Sequence, residues 1–236
     1  MPEKTVVCIH GLGASKASFS ALTQTALVQK HHLVAVDLPG FGDHCAADVP
    51  DNPITNAAEI LAQEIEKRGW QNVVLVGHSL GGAVALLTAS RVRGRVRGVA
   101  SVEGNLVAED CGTSRRLATA GSAADCESIK SRAIHEAERS ENAGVRDWAR
   151  DLSKVSCDTL SKYSKQLVEL SDSGELLRQF HADTYRKIYL YGDEYVSHPV
   201  LRRLDSIKVE YIPGAGHTNF MGDAPQACAL AISKLL

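Results

Sequence analysis

The segment Val73-Val74-Leu75-Val76-Gly77-His78-Ser79-Leu80-Gly81-Gly82 constrains this chain more than any other. Four branched apolar residues in a row read as a strand buried on both faces. Gly77-x-Ser79-x-Gly81 then forces a sharp turn, and Ala83-Val84-Ala85-Leu86-Leu87 reads as the helix that follows. A strand that turns at once into a helix brings backbone segments too close for a Cβ, so glycine is needed on both sides of the serine. The Ser79 hydroxyl is left at the tip of the turn, beside a helix N-terminus, where a nucleophile is wanted.

Composition narrows the setting. The chain has 236 residues, enough for one substantial core, or one core with a small insertion. Its 44% hydrophobic and 23% charged content is that of a globular domain. A net charge of -2 gives no sign of a nucleic-acid or membrane partner. The first strand candidate starts at Thr5, which leaves no room for a signal peptide, and no apolar run approaches bilayer length. A cytoplasmic location is therefore expected. The six cysteines lack C-x-x-C spacing and read as free thiols, with a Cys111–Cys126 bridge as the alternative.

Strand and helix patterns alternate. Thr5–His10, His32–Asp37, the elbow strand, Gly98–Glu103, Lys187–Tyr191 and Ile207–Ile212 read as strands. Helices are expected over about Ser18–Lys30, Ile54–Arg68 and Pro225–Leu236. This order predicts an α/β fold with a mainly parallel sheet covered on both faces. Residues 105–185 break the rhythm, with helical patterns such as Ile129–Ala137 and Leu160–Leu170 and no convincing strand. They are expected to form a helical cap over the carboxyl edge of the sheet, where clefts in open α/β sheets lie. Residues 1–104 and 186–236 would then form the core. The run Arg91-Val92-Arg93-Gly94-Arg95-Val96-Arg97 falls at the far end of the elbow helix and reads as a solvated turn matched to the helix dipole.

A serine needs a base to attack. His217, in Pro213-Gly214-Ala215-Gly216-His217, follows the last strand and so shares a sheet edge with Ser79. His78 is expected to point away from the tip. An oxyanion hole needs two converging N–H donors. The best candidates are Leu80, directly after the serine, and Leu12, in His10-Gly11-Leu12-Gly13 after the first strand.

With these motifs in place, the chain resembles α/β-hydrolase-fold proteins over nearly its whole length. His10-Gly11-Leu12-Gly13, Asp37-Leu38-Pro39-Gly40-Phe41-Gly42, Gly77-His78-Ser79-Leu80-Gly81-Gly82 and Pro213-Gly214-Ala215-Gly216-His217 stand in that family's order. The resemblance implies a Ser–His pair but no substrate, because the fold carries esterases, lipases, lactonases and C–C hydrolases alike. Two departures stand out. The sequence opens at the strand that is usually third in the family, so the leading antiparallel hairpin is not expected. The acid position is irregular: the family's Gly-x-x-Asp turn is here Gly192-Asp193-Glu194-Tyr195, with Tyr195 in the acid's place and Asp193 and Glu194 out of register. A second arrangement, similar to that of haloalkane dehalogenases, puts the acid after the preceding strand, where Glu103 stands.

The sequence thus leads to one expectation: a serine hydrolase acting on a small or medium-sized carboxylic ester, with Ser79, His217 and Glu103 as its triad. Leu12 and Leu80 would form the oxyanion hole, and Asp193 or Glu194 is the alternative acid. No cofactor and no metal site is expected. A C–C hydrolase, acyltransferase or lactonase would use the same residues. A slow-turnover ligand receptor with a retained triad is the rival from another class. The few aromatics of the insertion, Trp148, Tyr163, Phe180 and Tyr185, suggest an aliphatic pocket roof of modest size.

Overall fold

A computed structural model describes residues 4–236. Six strands form one sheet: β1 (Thr5–Ile9), β2 (His32–Val36), β3 (Val73–His78), β4 (Val96–Val102), β5 (Arg186–Tyr191) and β6 (Lys208–Tyr211). Their spatial order is β2-β1-β3-β4-β5-β6, and every paired neighbour is parallel. The expected strands are all present, with ends within two residues of the expectation.

The continuous apolar runs follow from burial on both faces. Along β1, Val7 and Ile9 join one core cluster with Val73 and Leu75 of β3. Val6 and Cys8 join the other with Val74 and Val76. Each face needs its own cover. The first is covered by α2 (Pro53–Lys67) and α3 (Leu80–Arg91), the second by α10 (Pro225–Ser233) and the segment carrying Phe19 and Leu22. In α2 the stripe Ile54, Ala57, Ala58, Leu61, Ala62 and Ile65 faces the sheet, as its spacing predicts. Each fully buried Ile or Leu there contributes about 1.5–3 kcal/mol. Helix α3 is buried from Leu80 to Ala89, so it has no polar face at all.

The helix expected over Ser18–Lys30 is divided. Lys16–Gln24 is a 3-10 stretch, and α1 is only Ala26–Lys30. Thr25 makes the break. Its backbone is extended (φ -105, ψ 167), and its hydroxyl accepts from Leu27 N–H as a helix N-cap.

Between β4 and β5 lie five helices: α4 (Gly112–Ala118), α5 (Ala123–Glu138), α6 (Ala143–Lys154), α7 (Cys157–Asp172) and α8 (Glu175–Ala182). The predicted patterns at 129–137 and 160–170 fall inside α5 and α7. Helix α9 (Phe220–Asp223) precedes α10. All six cysteines are free thiols, Cys111 and Cys126 included. In the arginine run, Arg91 Nη1 donates to Leu87 O at 2.8 Å and Arg97 Nε to the carbonyls of Leu235 and Leu236 at 2.9 Å. These side chains bind the chain's own carbonyls at the ends of α3 and α10. Among the described residues, no helix is long and apolar enough to cross a membrane.

Candidate active site

Ser79 occupies the elbow between β3 and α3 with φ 51 and ψ -122, a backbone state that a non-glycine residue adopts only under constraint. The constraint is visible at Gly81, where a Cβ would stand 2.2 Å from Ile9 O. Gly11 acts similarly from the β1 side: a Cβ there would meet His78 Nδ1 at 3.1 Å and the Ser79 Cβ at 3.2 Å. Ser79 N–H donates to Val102 O at 2.9 Å, tying the elbow to the end of β4.

Glu103 is the residue after that strand end. Its backbone also has positive φ (43), and its N–H continues the ladder to Leu190 O at 2.9 Å. The side chain is fully buried. Oε1 accepts from Gly192 N–H at 2.7 Å, and Oε2 lies 2.5 Å from His217 Nδ1. A buried carboxylate is tolerable only when its oxygens are satisfied, and here both are. With the proton on Nδ1, the imidazole keeps the lone pair on Nε2.

Asp193 and Glu194, the alternative acids, are engaged elsewhere. Asp193 Oδ1 accepts from Tyr211 OH at 2.6 Å and Gly214 N–H at 3.1 Å. Glu194 Oε1 accepts from the backbone N–H of His217 at 2.8 Å. Both carboxylates thus brace the loop that carries His217, while its ring turns to Glu103. Tyr195 stacks flat against the imidazole, with centroids 5.7 Å apart and 8° between planes.

His78 differs from expectation. Its ring lies 5.0 Å from that of His217 and lines the same cavity, because the reversal at Ser79 and the absent side chain of Gly11 leave it space there. Burial, reinforced by the neighbouring His217, lowers its pKa to about 3, so it stays neutral. His10 is also buried and depressed by desolvation. Its Nε2 accepts from Leu38 N–H at 3.0 Å, which leaves the proton on Nδ1 to donate to Gly11 O at 2.8 Å. It is a bracket between the β1 and β2 loops.

Leu80 is the first residue of α3, where helix geometry provides no intrahelical carbonyl for its N–H. Leu12 lines the cavity, and its carbonyl accepts from Trp148 Nε1 at 3.1 Å. That bond fixes the β1 loop from the inserted helices.

The cavity measures about 670 Å³ and brings Ser79, His217 and Leu12 together. Helices α4 to α7 all contribute to its walls. Of the four aromatics of the insertion, Trp148 alone lines the cavity; Tyr163 and Phe180 are buried in the core. The lining is also more polar than expected, with Arg116, Lys130 and Glu136 among aliphatic residues. Arg116 on α4 and Glu136 on α5 are exposed and Lys130 is half-buried, so they stand where the fold brings these helices to the cleft, which no composition count reveals.

Sequence reasoning missed Asn105. Ser79 Oγ donates to its Oδ1 at 3.4 Å, and its Nδ2 donates to Asp110 O at 2.9 Å. The two residues lie 26 positions apart and carry no shared motif. The stack of Tyr195 on His217 was equally unmarked, since only the fold sets them face to face.

A strained serine between β3 and α3, and an imidazole held by a carboxylate after the last strand, stand at the carboxyl edge of a parallel sheet. The sequence profile of the alpha/beta hydrolase family matches residues 6–231. The chain belongs to that family.

The alpha/beta hydrolase chain is 31% identical over 85 residues to a Mycoplasma genitalium protein named for esterase or lipase activity, a stretch covering 36% of this chain and 32% of that one. It is 34% identical over 87 residues to the uncharacterized hydrolase YugF of Bacillus subtilis, covering 37% and 32%. The matched stretch thus spans about a third of each relative's length. Among solved structures it resembles AqDC, described as recognising and ring-cleaving the Pseudomonas quinolone signal, with a TM-score of 0.80 at 18% identity over 100% of this chain and 92% of that one. It also resembles the N-acyl homoserine lactonase AidH, with a TM-score of 0.73 at 19% identity over 99% and 88%. At these identities the likeness concerns the fold.

Proposed function

We propose that this hydrolase uses Ser79 as its nucleophile and cleaves a small or medium-sized carboxylic ester through an acyl-enzyme. The observation that carries the reading is the 2.5 Å contact between His217 Nδ1 and the buried Glu103 carboxylate, on the same cavity as Ser79. A carboxylate there holds the tautomer with a free Nε2 lone pair and stabilises the imidazolium formed when that nitrogen takes the Ser79 proton. His217 then returns the proton to the leaving alcohol, and water repeats the cycle on the acyl-enzyme. Leu12 and Leu80 N–H groups would meet the tetrahedral oxyanion. In the resting protein the Ser79 hydroxyl rests on Asn105, so substrate entry must swing it toward His217; such contacts often tighten only in the Michaelis complex.

A fluorophosphonate probe should label Ser79 alone, and labelling and ester turnover should vanish together in Ser79→Ala. Label that persists in Ser79→Ala refutes the assignment. A screen of chromogenic esters of graded acyl length defines the substrate, and single-equivalent product release would instead mark a slow-turnover receptor. Lactone hydrolysis and ring cleavage, the activities named for two structural neighbours, belong in the same screen.

A further inference from the structure

Helix α6 of the insertion touches both loops on which the proposed reaction depends. Its amino end is bound to the loop carrying His217. Asn142, the N-cap of α6, accepts from Gly144 N–H at 2.9 Å and donates from Nδ2 to Asp223 Oδ1 at 2.6 Å. Asn219 Nδ2 donates to Asn142 Oδ1 at 3.0 Å and to Asp223 Oδ1 at 2.7 Å. Asp223 Oδ2 in turn accepts from Gly216 N–H at 3.0 Å, one residue before His217. The approach is so close that a Cβ at Gly144 would stand 2.1 Å from Asn219 Cγ.

Further along, α6 grips the loop after β1. Trp148 Nε1 donates to Leu12 O at 3.1 Å, and Asp151 Oδ2 accepts from Ser15 Oγ at 2.6 Å. Between them Leu152 presses on Gly13, where a Cβ would stand 2.7 Å from Leu152 Cδ1. Asp151 and Leu152 follow Trp148 at helical spacing, so the three contacts come from one face of α6.

This grip bears on one N–H group. Leu12 sits between two peptide planes. Its N–H belongs to the Gly11–Leu12 plane, whose carbonyl accepts from His10 Nδ1 at 2.8 Å and Ala14 N–H at 3.3 Å. In a trans peptide the C=O and N–H point in opposite directions, so holding the carbonyl aims the N–H. The Leu12 carbonyl belongs to the next plane, and among the described residues only Trp148 donates to it. Gly13 follows with φ 73, and glycine passes readily between such backbone states, so this plane needs an outside hold. With both planes pinned, the Leu12 dihedrals are fixed. Among the described residues the Leu12 N–H has no acceptor of its own, which leaves it for a ligand oxygen.

We propose that Trp148 is a positioning residue for the Leu12 oxyanion donor, with α6 as a strut that fixes the oxyanion loop against the His217 loop. The inference rests on the serine-hydrolase reading for the use of that donor. It goes further by making the insertion part of transition-state stabilisation as well as a cavity wall. The oxyanion is formed only on the way to the tetrahedral intermediate. A misaimed donor should therefore lower the turnover number and spare ground-state binding.

The test replaces Trp148 with 3-benzothienylalanine, which keeps the ring size and puts sulfur where the N–H stands. Trp148→Phe serves as the second variant. With a chromogenic ester that the parent hydrolyses, the turnover number should fall about tenfold to hundredfold in both, since a shift of about 1 Å can cost that much. KM should stay within about threefold, as should the ester dissociation constant when each change is added to Ser79→Ala. A benzothienyl variant whose turnover number stays within about twofold of the parent overturns the proposal. So does a rise in KM alone, which would make Trp148 a wall contact and nothing more. A third readout needs no turnover: backbone order parameters at Leu12 and Gly13 should drop from about 0.85 toward about 0.6 in the benzothienyl variant. Unchanged order parameters overturn the strut. Order parameters that fall in the variant of a parent unable to hydrolyse any ester would keep the strut and remove the esterase reading.

Discussion

Glu103 and His217, 114 residues apart, meet through a 2.5 Å contact between Oε2 and Nδ1. The contact exists because β4 and β6 end at the same sheet edge with only β5 between them. Glu103 bridges that gap, holding Gly192 N–H at the end of β5 with its other oxygen. Glu103→Gln should keep the fold and cut the turnover number by a factor of about 10³–10⁴, because an amide can hold the wrong tautomer. Asp193→Asn and Glu194→Gln should lose far less, since these side chains brace the loop rather than the ring. Collapse in either of those variants with a near-normal Glu103→Gln would reverse the assignment.

Asn105 holds the Ser79 hydroxyl in its resting position. Its removal in Asn105→Ala frees the hydroxyl from a bond worth about 0.5–1.5 kcal/mol, so fluorophosphonate labelling should speed up by about twofold to tenfold. Stability should fall by about 1–3 kcal/mol, because Asp110 O loses the Nδ2 donor. Stopped-flow labelling and urea unfolding read the two effects. A hundredfold slower labelling would show that Asn105 assists the attack instead.

The elbow tolerates no Cβ at Gly81. In Gly81→Ala the new carbon would press on the carbonyls of Ile9 and His10, which are backbone and cannot swing aside. Overpacking of this kind costs about 1–3 kcal/mol and at times more. Thermal unfolding should show a loss at the upper end, and the surviving protein should label slowly because β1 and the elbow have moved apart.

Asp37 gives the fold an acid limit. Its side chain is almost fully buried; burial raises the carboxyl, but N–H groups of Lys16 and Asp43 and the Lys16 ammonium outweigh it, and the net shift is downward from 3.8. A carboxylate depressed in the folded state stabilises above its unfolded pKa, and that stability is lost as pH falls through the folded value. Asp37→Ala should therefore cost about 1.5–3 kcal/mol at pH 7, and the gap to the parent should narrow below about pH 3.8. Urea midpoints at pH 7, 5 and 3.5 check this; a gap unchanged at the lowest pH would refute it.

Local patterns in the sequence determined the sheet, the elbow and the candidate base. Strand runs such as Val73–Val76 are buried on both faces and so read without reference to partners, and Gly77 and Gly81 are demanded by backbone contacts a few residues away. His217 was legible because its loop follows the last strand of a parallel sheet, which fixes the edge at which it emerges. Glu103 was reachable for the same reason, but its bond to His217 required the crossing of β5. What only the tertiary structure decided is the environment. The flat stack of Tyr195 on His217, the turn of His78 into the cavity, the grip of Asn105 on Ser79 and the hold of Trp148 on Leu12 each join elements distant along the chain. Thr25 split an expected helix because its hydroxyl found a backbone partner that periodicity does not register. Side-chain direction at a loop depends on backbone dihedrals and on which neighbour leaves room, and neither is written in residue type or spacing.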